Sequence, residues 1–404
     1  MQSGGETIAF LRGKTLFAVS RDGSNLRVLG QGNIAGIAWS PDHHQIVYRV
    51  SRSPVIASPL SLLGAPDAPG ELVVTSVNGP SDAVQISPPR AELSRSDAWW
   101  NANGNRLLYR ESPNGATDSA TSTPIYIVSQ ADQPVGIARE PVVDNAGLPV
   151  LSPDGSRLAT FDSNGTIWLG APSSAGKIVA KGALLTLSGA SRLARLLWQP
   201  QHNALLFEIV GDNGAVALRL FTIGGKVRTL GAVRGLLDLA FSPDGSRLLL
   251  RTAHEFVIWN VAKPGTSVFS WPENDLVALP WWSPDGGRIL IQDSGGWQLV
   301  DIAERSVRPL VTFPGAVPTD ISGVKNWRPA TGSPWNSAGD RFVFVGSNRA
   351  NWQGKALPMP HEGTTGLYVA DPSSGGTPTL LDSGDDRAPT WSYLDPSTVF
   401  LVAA

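Results

Sequence analysis

The chain has 404 residues, 42% hydrophobic and 16% charged, with 43 Gly, 32 Pro and a formal net charge of −2. That apolar share is enough for a sizeable core and excludes wholesale disorder, while the lack of a basic excess argues against nucleic acid as a partner. There is no cysteine, which excludes disulfides, thiol catalysis and Cys-ligated metal sites, and five histidines leave little material for metal or acid–base chemistry.

The N-terminus, Met1-Gln-Ser-Gly-Gly-Glu-Thr7, has neither a charged n-region nor an apolar h-region. Two readings stay open: a cytoplasmic protein, or a mature chain whose leader has been removed. Low charge, richness in Ser, Thr, Gly and Pro, and the missing cysteine favour an exported bacterial protein, so a periplasmic or extracellular location is expected. No run of about 18 apolar residues occurs, so no transmembrane segment is expected.

Along the chain, Thr7–Leu11, Thr15–Ser20 and Leu26–Leu29 read as the second, third and fourth strands of a unit that lacks its first. A repeat then begins. Trp39-Ser-Pro-Asp-His-His-Gln-Ile-Val47 is followed by Leu151-Ser-Pro-Asp-Gly-Ser-Arg-Leu-Ala159, Phe241-Ser-Pro-Asp-Gly-Ser-Arg-Leu-Leu249 and Trp282-Ser-Pro-Asp-Gly-Gly-Arg-Ile-Leu290. Weaker copies start at Trp100, Trp198, Trp335 and Trp391. The eight anchors lie 41 to 61 residues apart, which fits one four-stranded blade plus variable loops.

The repeated words have a physical meaning. Pro suits the φ near −65° of a β-turn, with Asp and Gly after it, and apolar strands lie on both sides. The large anchors are sized to fill the space between adjacent sheets. At each copy the motif is a folding signal before it is a chemical one. In the Leu151 unit, Leu158–Phe161, a turn at Asp162-Ser-Asn-Gly165, Thr166–Leu169 and a fourth strand near Ala183–Leu187 follow in order. The Phe241 unit gives Arg247–Thr252, Phe256–Ala262 and Ser267–Trp271, and the Trp282 unit gives Arg288–Asp293, Trp297–Ala303 and Ser306–Leu310. No helical period is sustained anywhere.

These residues resemble the TolB-like, WD40-like (PD40) β-propeller repeats of bacteria, whose hallmark is aromatic-Ser-Pro-Asp-Gly-x-x-Ile/Leu. The resemblance covers nearly the whole chain, with four good copies and four degenerate ones. It implies an all-β fold: one β-propeller domain over 1–404, built of four-stranded antiparallel blades, eight in number with seven as the alternative. Trp391 and Thr398–Val402 read as a first and second strand at the C-terminal end. Together with the strands at the start they would share a blade and close the ring, with one strand surplus.

The long insertions, Ser53–Gly70, Ser112–Thr123, Pro272–Leu279, Thr312–Pro334 and Ser347–Thr365, all fall in loops of one face. Two of them hold Lys325-Asn-Trp-Arg328 and Asn348-Arg-Ala-Asn-Trp352, with His361 and Glu362 after. Lys325, Trp327, Arg328, Arg349, Trp352 and His361 are therefore the candidate protein-partner residues, since Trp and Arg combine area with directional donors. The plainer alternative is that Trp327 and Trp352 pack the loops onto the ring. Asp385, Asp386 and Arg387 could join the sector or simply face solvent.

No catalytic set, metal site or cofactor site is expected. The chain has no Gly-x-Ser-x-Gly elbow, and Gly13-Lys14-Thr15 ends a phosphate-loop motif whose first Gly position is Ile8. His43, His44 and His202 fall in repeat turns, while His254 and His361 could meet across the funnel. Asn164-Gly-Thr166 matches a glycosylation sequon but reads better as a hairpin turn. In the doubled Trp99-Trp100 and Trp281-Trp282, one member is the anchor and the other lines the channel or an interface. Two hypotheses result: a non-enzymatic scaffold presenting its loop-rich face to a protein in the cell envelope, or a lyase- or hydrolase-like enzyme or a carbohydrate or small-ligand binder using the funnel.

Overall fold

The structure, a computed structural model, describes residues 7–40, 44–51, 70–77, 79–85, 93–100, 106–113, 125–129, 150–153, 156–161, 166–172, 178–186, 192–211, 214–272, 279–293, 295–313, 333–347, 349–358, 365–383 and 386–391. Among them every regular element is a strand and every pairing is antiparallel.

The chain opens with β1 (Thr7–Arg12), β2 (Thr15–Ser20) and β3 (Arg27–Gln31). The Trp39 sheet follows as β4 (Asn33–Trp39), β5 (Gln45–Ser51), β6 (Gly70–Ser76) and β7 (Gly79–Gln85). The Trp100 sheet is β8 (Leu93–Trp100), β9 (Arg106–Pro113) and β10 (Ile125–Ser129). The Leu151 sheet is β11 (Val150–Leu151), β12 (Leu158–Phe161), β13 (Thr166–Pro172) and β14 (Ile178–Thr186). The Trp198 sheet is β15 (Arg192–Trp198), β16 (Ala204–Val210), β17 (Ala215–Thr222) and β18 (Val227–Arg234). The Phe241 sheet is β19 (Leu236–Phe241), β20 (Arg247–Thr252), β21 (Glu255–Asn260) and β22 (Ser267–Pro272). The Trp282 sheet is β23 (Leu279–Trp282), β24 (Arg288–Asp293), β25 (Gly296–Asp301) and β26 (Ser306–Thr312). Then come β27 (Phe342–Ser347), the short β28 (Asn351–Trp352) and β29 (Lys355–Ala356), β30 (Thr365–Ala370), β31 (Thr379–Ser383) and β32 (Asp386–Trp391).

The described strands form eight sheets of three to six strands, seven of which hold one sequence anchor within a strand. The Trp335 sheet is β27-β30-β31, joined by a bridge from Trp335 to Phe342. The Trp391 sheet runs β3-β2-β1-β32, so the strands at the start receive their missing first strand from near the end of the chain. Thr398–Val402, the surplus strand of the sequence reading, lies outside the described residues. Two strands end earlier than their apolar patterns because of side-chain caps. Asn260 Oδ1 accepts the Ala262 amide at 2.8 Å, and Asp301 Oδ1 accepts the Glu304 amide at 3.0 Å.

The chain divides into two compact units. The first comprises Met1–Pro88, Asp275–Val324 and Arg328–Asp395, hence the Trp39, Trp282, Trp335 and Trp391 sheets. Ile8, Phe10 and Val19 meet Val343, Leu367 and Val369 across one of its sheet pairs. Ala9, Leu11, Leu16 and Leu29 meet Ile37, Trp39, Ile46 and Tyr48 across another. The second unit comprises Pro89–Asn274, Lys325–Trp327 and Pro396–Ala404, hence the Trp100, Leu151, Trp198 and Phe241 sheets. There Val150, Ala159 and Ile167 pack on Leu196, Trp198 and Phe207. Leu206, Leu218 and Leu230 pack on Leu239, Phe241 and Leu250. Sheets covered on both faces need continuous apolar strands, and β16 is buried at every position but its last.

The anchors seal these interfaces. Trp198 Nε1–H donates to the Val150 carbonyl of the preceding sheet at 2.9 Å, and Trp335 Nε1–H donates to the Trp281 carbonyl at 3.1 Å. Close approach explains two glycines. A Cβ on Gly30 would lie 2.5 Å from the Tyr48 hydroxyl, and one on Gly231 2.7 Å from the Trp259 ring.

The Ser of the repeat ties its own turn. Ser242 Oγ accepts the Arg247 amide at 3.0 Å and donates to Asp244 Oδ1 at 2.5 Å. Ser283 does the same with Arg288 at 2.9 Å and Asp285 at 2.5 Å. At Trp335 an Asn takes over, and Asn336 Oδ1 accepts the Arg341 amide at 3.0 Å. The turns are also linked to one another. Arg157 reaches Asn203 at 2.8 Å, Gln199 reaches the Gly245 carbonyl at 2.7 Å, and Arg288 reaches the Gly339 carbonyl at 2.7 Å.

Ser242→Ala leaves the Arg247 amide without its acceptor and should cost about 1–2 kcal/mol, read as a lower urea midpoint at unchanged slope. Burial pushes the Asp244 carboxyl up, but hydrogen bonds from Ser242 and Ser246 outweigh it and hold the group below its ordinary value of 3.8. Asp285 is likewise held down: burial is outweighed by bonds from Ser283 and the Gly287 amide. A depressed carboxyl stabilises the fold above the ordinary carboxylate range and loses that effect as pH falls through its folded value. Asp244→Asn/Asp285→Asn should therefore flatten the fall of thermal midpoint below about pH 5.

Candidate functional site

In the second unit the first strands of adjacent sheets are joined by a buried charge cluster. A β-bulge interrupts β15 between Leu193 and Arg195, and another interrupts β19 between Leu236 and Asp238. Each extra residue bends its strand and re-aims the side chain that follows. The re-aimed side chains are Arg195 and Asp238, and Arg195 Nη1–H donates to Asp238 Oδ1 at 2.7 Å. Asp238 Oδ1 also takes the Leu239 amide at 2.8 Å, and Arg195 Nε lies 3.1 Å from Glu208 Oε1 on β16. All three residues are buried.

The electrostatics are those of a lock. Burial opposes the Arg195 charge, but Glu208 and then Asp238 more than restore it, so its pKa is raised. A guanidinium held this way neither gives nor takes a proton near neutrality, and both neighbouring carboxylates are committed to it. Sequence reasoning missed the cluster, although a signal exists. Arg195 and Asp238 stand three residues before their anchors, while Glu208 and Arg251 stand ten residues after them. Arg251, opposite Asp238 on β20, is also buried.

Of the candidate partner residues, the structure describes Arg349 and Trp352. Lys325, Trp327, Arg328 and His361 lie outside the described residues. The long insertion after β27 is partly strand. Trp352, Gln353, Gly354 and Lys355 make a tight hairpin with positive φ at Gln353 and Gly354, 47° and 81°. Its first arm pairs with the outer edge of β26, Val311 with Trp352 and Thr312 with Asn351. The Gln353 amide donates to the Leu310 carbonyl at 2.8 Å.

Trp352 corrects the sequence reading. It is 1% exposed, with its ring 5.9 Å from that of Phe342 and 6.1 Å from that of Phe344. A side chain so covered offers no area to a partner and acts as the nail of the hairpin, the plainer alternative. Arg349 is exposed. Trp281 likewise faces an interface within the first unit, buried with its ring 5.4 Å from Trp297. Asp386 and Arg387 belong to β32 rather than to a loop.

His254 is exposed on the turn between β20 and β21, where Thr252 Oγ1 accepts its amide at 3.2 Å and that of Glu255 at 3.0 Å. Among the described residues no three His, Asp or Glu side chains converge to hold a metal, and no helix is long and apolar enough to cross a membrane.

No family model matches the chain, and no curated protein matches it. Solved structures do. The chain is similar to a eukaryotic initiation factor at 11% identity and a TM-score of 0.54, over 96% of this chain and 98% of that one. It is similar to the C-terminal WD40 domain of Sif2 at 12% identity and a TM-score of 0.52, over 84% and 89%. It is also similar to an oligogalacturonate lyase in complex with manganese at 14% identity and a TM-score of 0.52, over 70% and 81%. These likenesses show the fold alone: all-β and of the WD40-like β-propeller kind, on which both a lyase and WD40 domains are built.

Asp238→Ala leaves the buried Arg195 one partner short and should destabilise by about 3 kcal/mol or more. A double-mutant cycle with Arg195→Met should show coupling of about 1–3 kcal/mol between the two positions, against near zero for a pair in separate sheets.

Proposed function

We propose that residues 1–404 form a single β-propeller of the TolB-like, WD40-like (PD40) type, and that it serves as a non-enzymatic scaffold for a protein partner in the bacterial cell envelope. Eight sheets, seven with an anchor within a strand and the eighth bridged to Trp335, support eight blades, and the pairing of β1 with β32 supports a ring closed by a shared blade. The cysteine-free, weakly charged composition supports the envelope as its compartment.

The observation that carries the functional reading is the hairpin nailed down by Trp352. Its backbone is tied to β26, and the Gln353 side-chain amide donates to the Ser374 carbonyl at 3.1 Å. Arg349 and Lys355 are thereby offered, exposed, from a platform that is ordered before any partner arrives. Preorganisation of this kind removes part of the entropic cost of association. An Arg so placed supplies directional, charge-assisted donors, and the sequence adds Lys325, Trp327, Arg328 and His361 to the candidate partner residues.

A photo-crosslinking residue at position 349 should trap one discrete protein in cells of the source organism, while the same residue at Ser373 should not. Arg349→Glu should cut capture by wild-type bait at least about tenfold with an unchanged thermal midpoint, as expected for loss of a hot-spot Arg. Equal capture by the Arg349→Glu protein would overturn the assignment. Trp352→Ala, by contrast, should behave as a core truncation costing about 3–5 kcal/mol. Because the chain has no cysteine, Ala9→Cys/Thr390→Cys gives a clean test of closure: the pair should oxidise to one species with a raised midpoint.

A further inference from the structure

The outer strand β18 of the Trp198 sheet is a long, basic edge. Its neighbour on one side is β17, and among the described residues no strand pairs with the other side. Val227, Arg228, Thr229, Ala232 and Arg234 are exposed. From Gly214 to Leu237 the charged residues are Arg219, Lys226, Arg228 and Arg234, with no acid among them, in a chain whose net charge is −2. Arg219, opposite Thr229 on β17, keeps a buried Nε–H that meets no acceptor among the described residues.

The chain itself shows how such an edge is used. β26 carries a bulge at Leu310, since Trp297 pairs with Val311 and Gln298 with Pro309. Immediately past that bulge the hairpin adds β28 as a further strand. β18 carries the corresponding bulge at Leu230, with Leu218 paired to Gly231 and Arg219 to Thr229, and both bulged leucines are buried. Past it, Gly231–Arg234 offers four residues where β26 engages two. Charged residues, Lys above all, and bulges on an edge also serve to repel stray strands, but a strand of opposite charge is the one that a basic edge attracts.

We propose that β18 is a docking edge for an acidic, extended segment of a partner protein, which adds as a fifth strand past Leu230. Main-chain hydrogen bonds would supply the affinity, and Lys226, Arg228 and Arg234 would select the sign of the segment. This surface is separate from the Arg349 hairpin and does not depend on it.

The probe is a fluorescein-labelled peptide of about eight residues alternating Glu with Val and Thr, matched to the length of β18. Anisotropy should show saturable binding to the full chain that weakens with salt, and hydrogen exchange should slow at Gly231–Arg234 when peptide is added. Arg228→Glu/Arg234→Glu, both at exposed positions, should weaken binding at least tenfold at an unchanged thermal midpoint. The same peptide N-methylated at alternate residues keeps its charge and should fail to bind. Absence of saturable binding, equal affinity of the N-methylated peptide, or equal affinity of the reversed-charge variant would each overturn the proposal. Self-association of the chain through β18, abolished by the same variant and indifferent to the peptide, would replace the partner by a second copy.

Discussion

A sheet covered on both faces has no polar side. That constraint governs the described structure. It demands strands such as β16, which is buried at every position but its last and apolar at every position but Glu208, and it gives the anchors their size and, for Trp198 and Trp335, a reason to be indole rather than phenyl. The backbone carbonyls they meet, Val150 and Trp281, belong to the first strand of the sheet behind them. Each of these two anchors therefore closes an interface and satisfies a buried acceptor at once. It also dictates that any charge on an inner strand must bring its own partner, as Arg195 does with Glu208 and Asp238.

The turns and the interior answer the same constraint by different chemistry. In the turns a short side chain stands in for a missing strand partner, and Ser and Asn prove interchangeable because each presents one acceptor at the right reach. In the interior the bulges supply the offset that a regular pleat cannot. Without the extra residue in β15 and β19, Arg195 and Asp238 would alternate onto the other face of their strands. Polar groups at the rim face no such demand, and it is there that the fold accepts an added hairpin.

Much of the fold was legible as repeated words. Ser-Pro-Asp-Gly with its flanking anchors marks turn, strand and interface together, and those residues interact within a few positions of one another. What escaped notice depends on distant neighbours. Arg195 and Asp238 are 43 residues apart, and neither residue alone signals the other. Asn351-Trp352 reads as loop because two residues carry no period, and its strand character comes from the edge of β26. Trp352 was legible as an anchor of something, but only the Phe342 and Phe344 rings decide that it holds the fold together rather than a partner.

The pairing of β1 with β32 also bears on how the protein is made. Ile8 pairs with Trp391, 383 residues further along. Synthesis at about 5–20 residues per second puts roughly 20–75 s between the emergence of the two strands. Through that interval β1 stands at the edge of its sheet without its partner strand. A sheet begun with β1–β3 is thus completed only when β32 is made, and a chaperone able to shield Ile8–Leu11 would act between those two events.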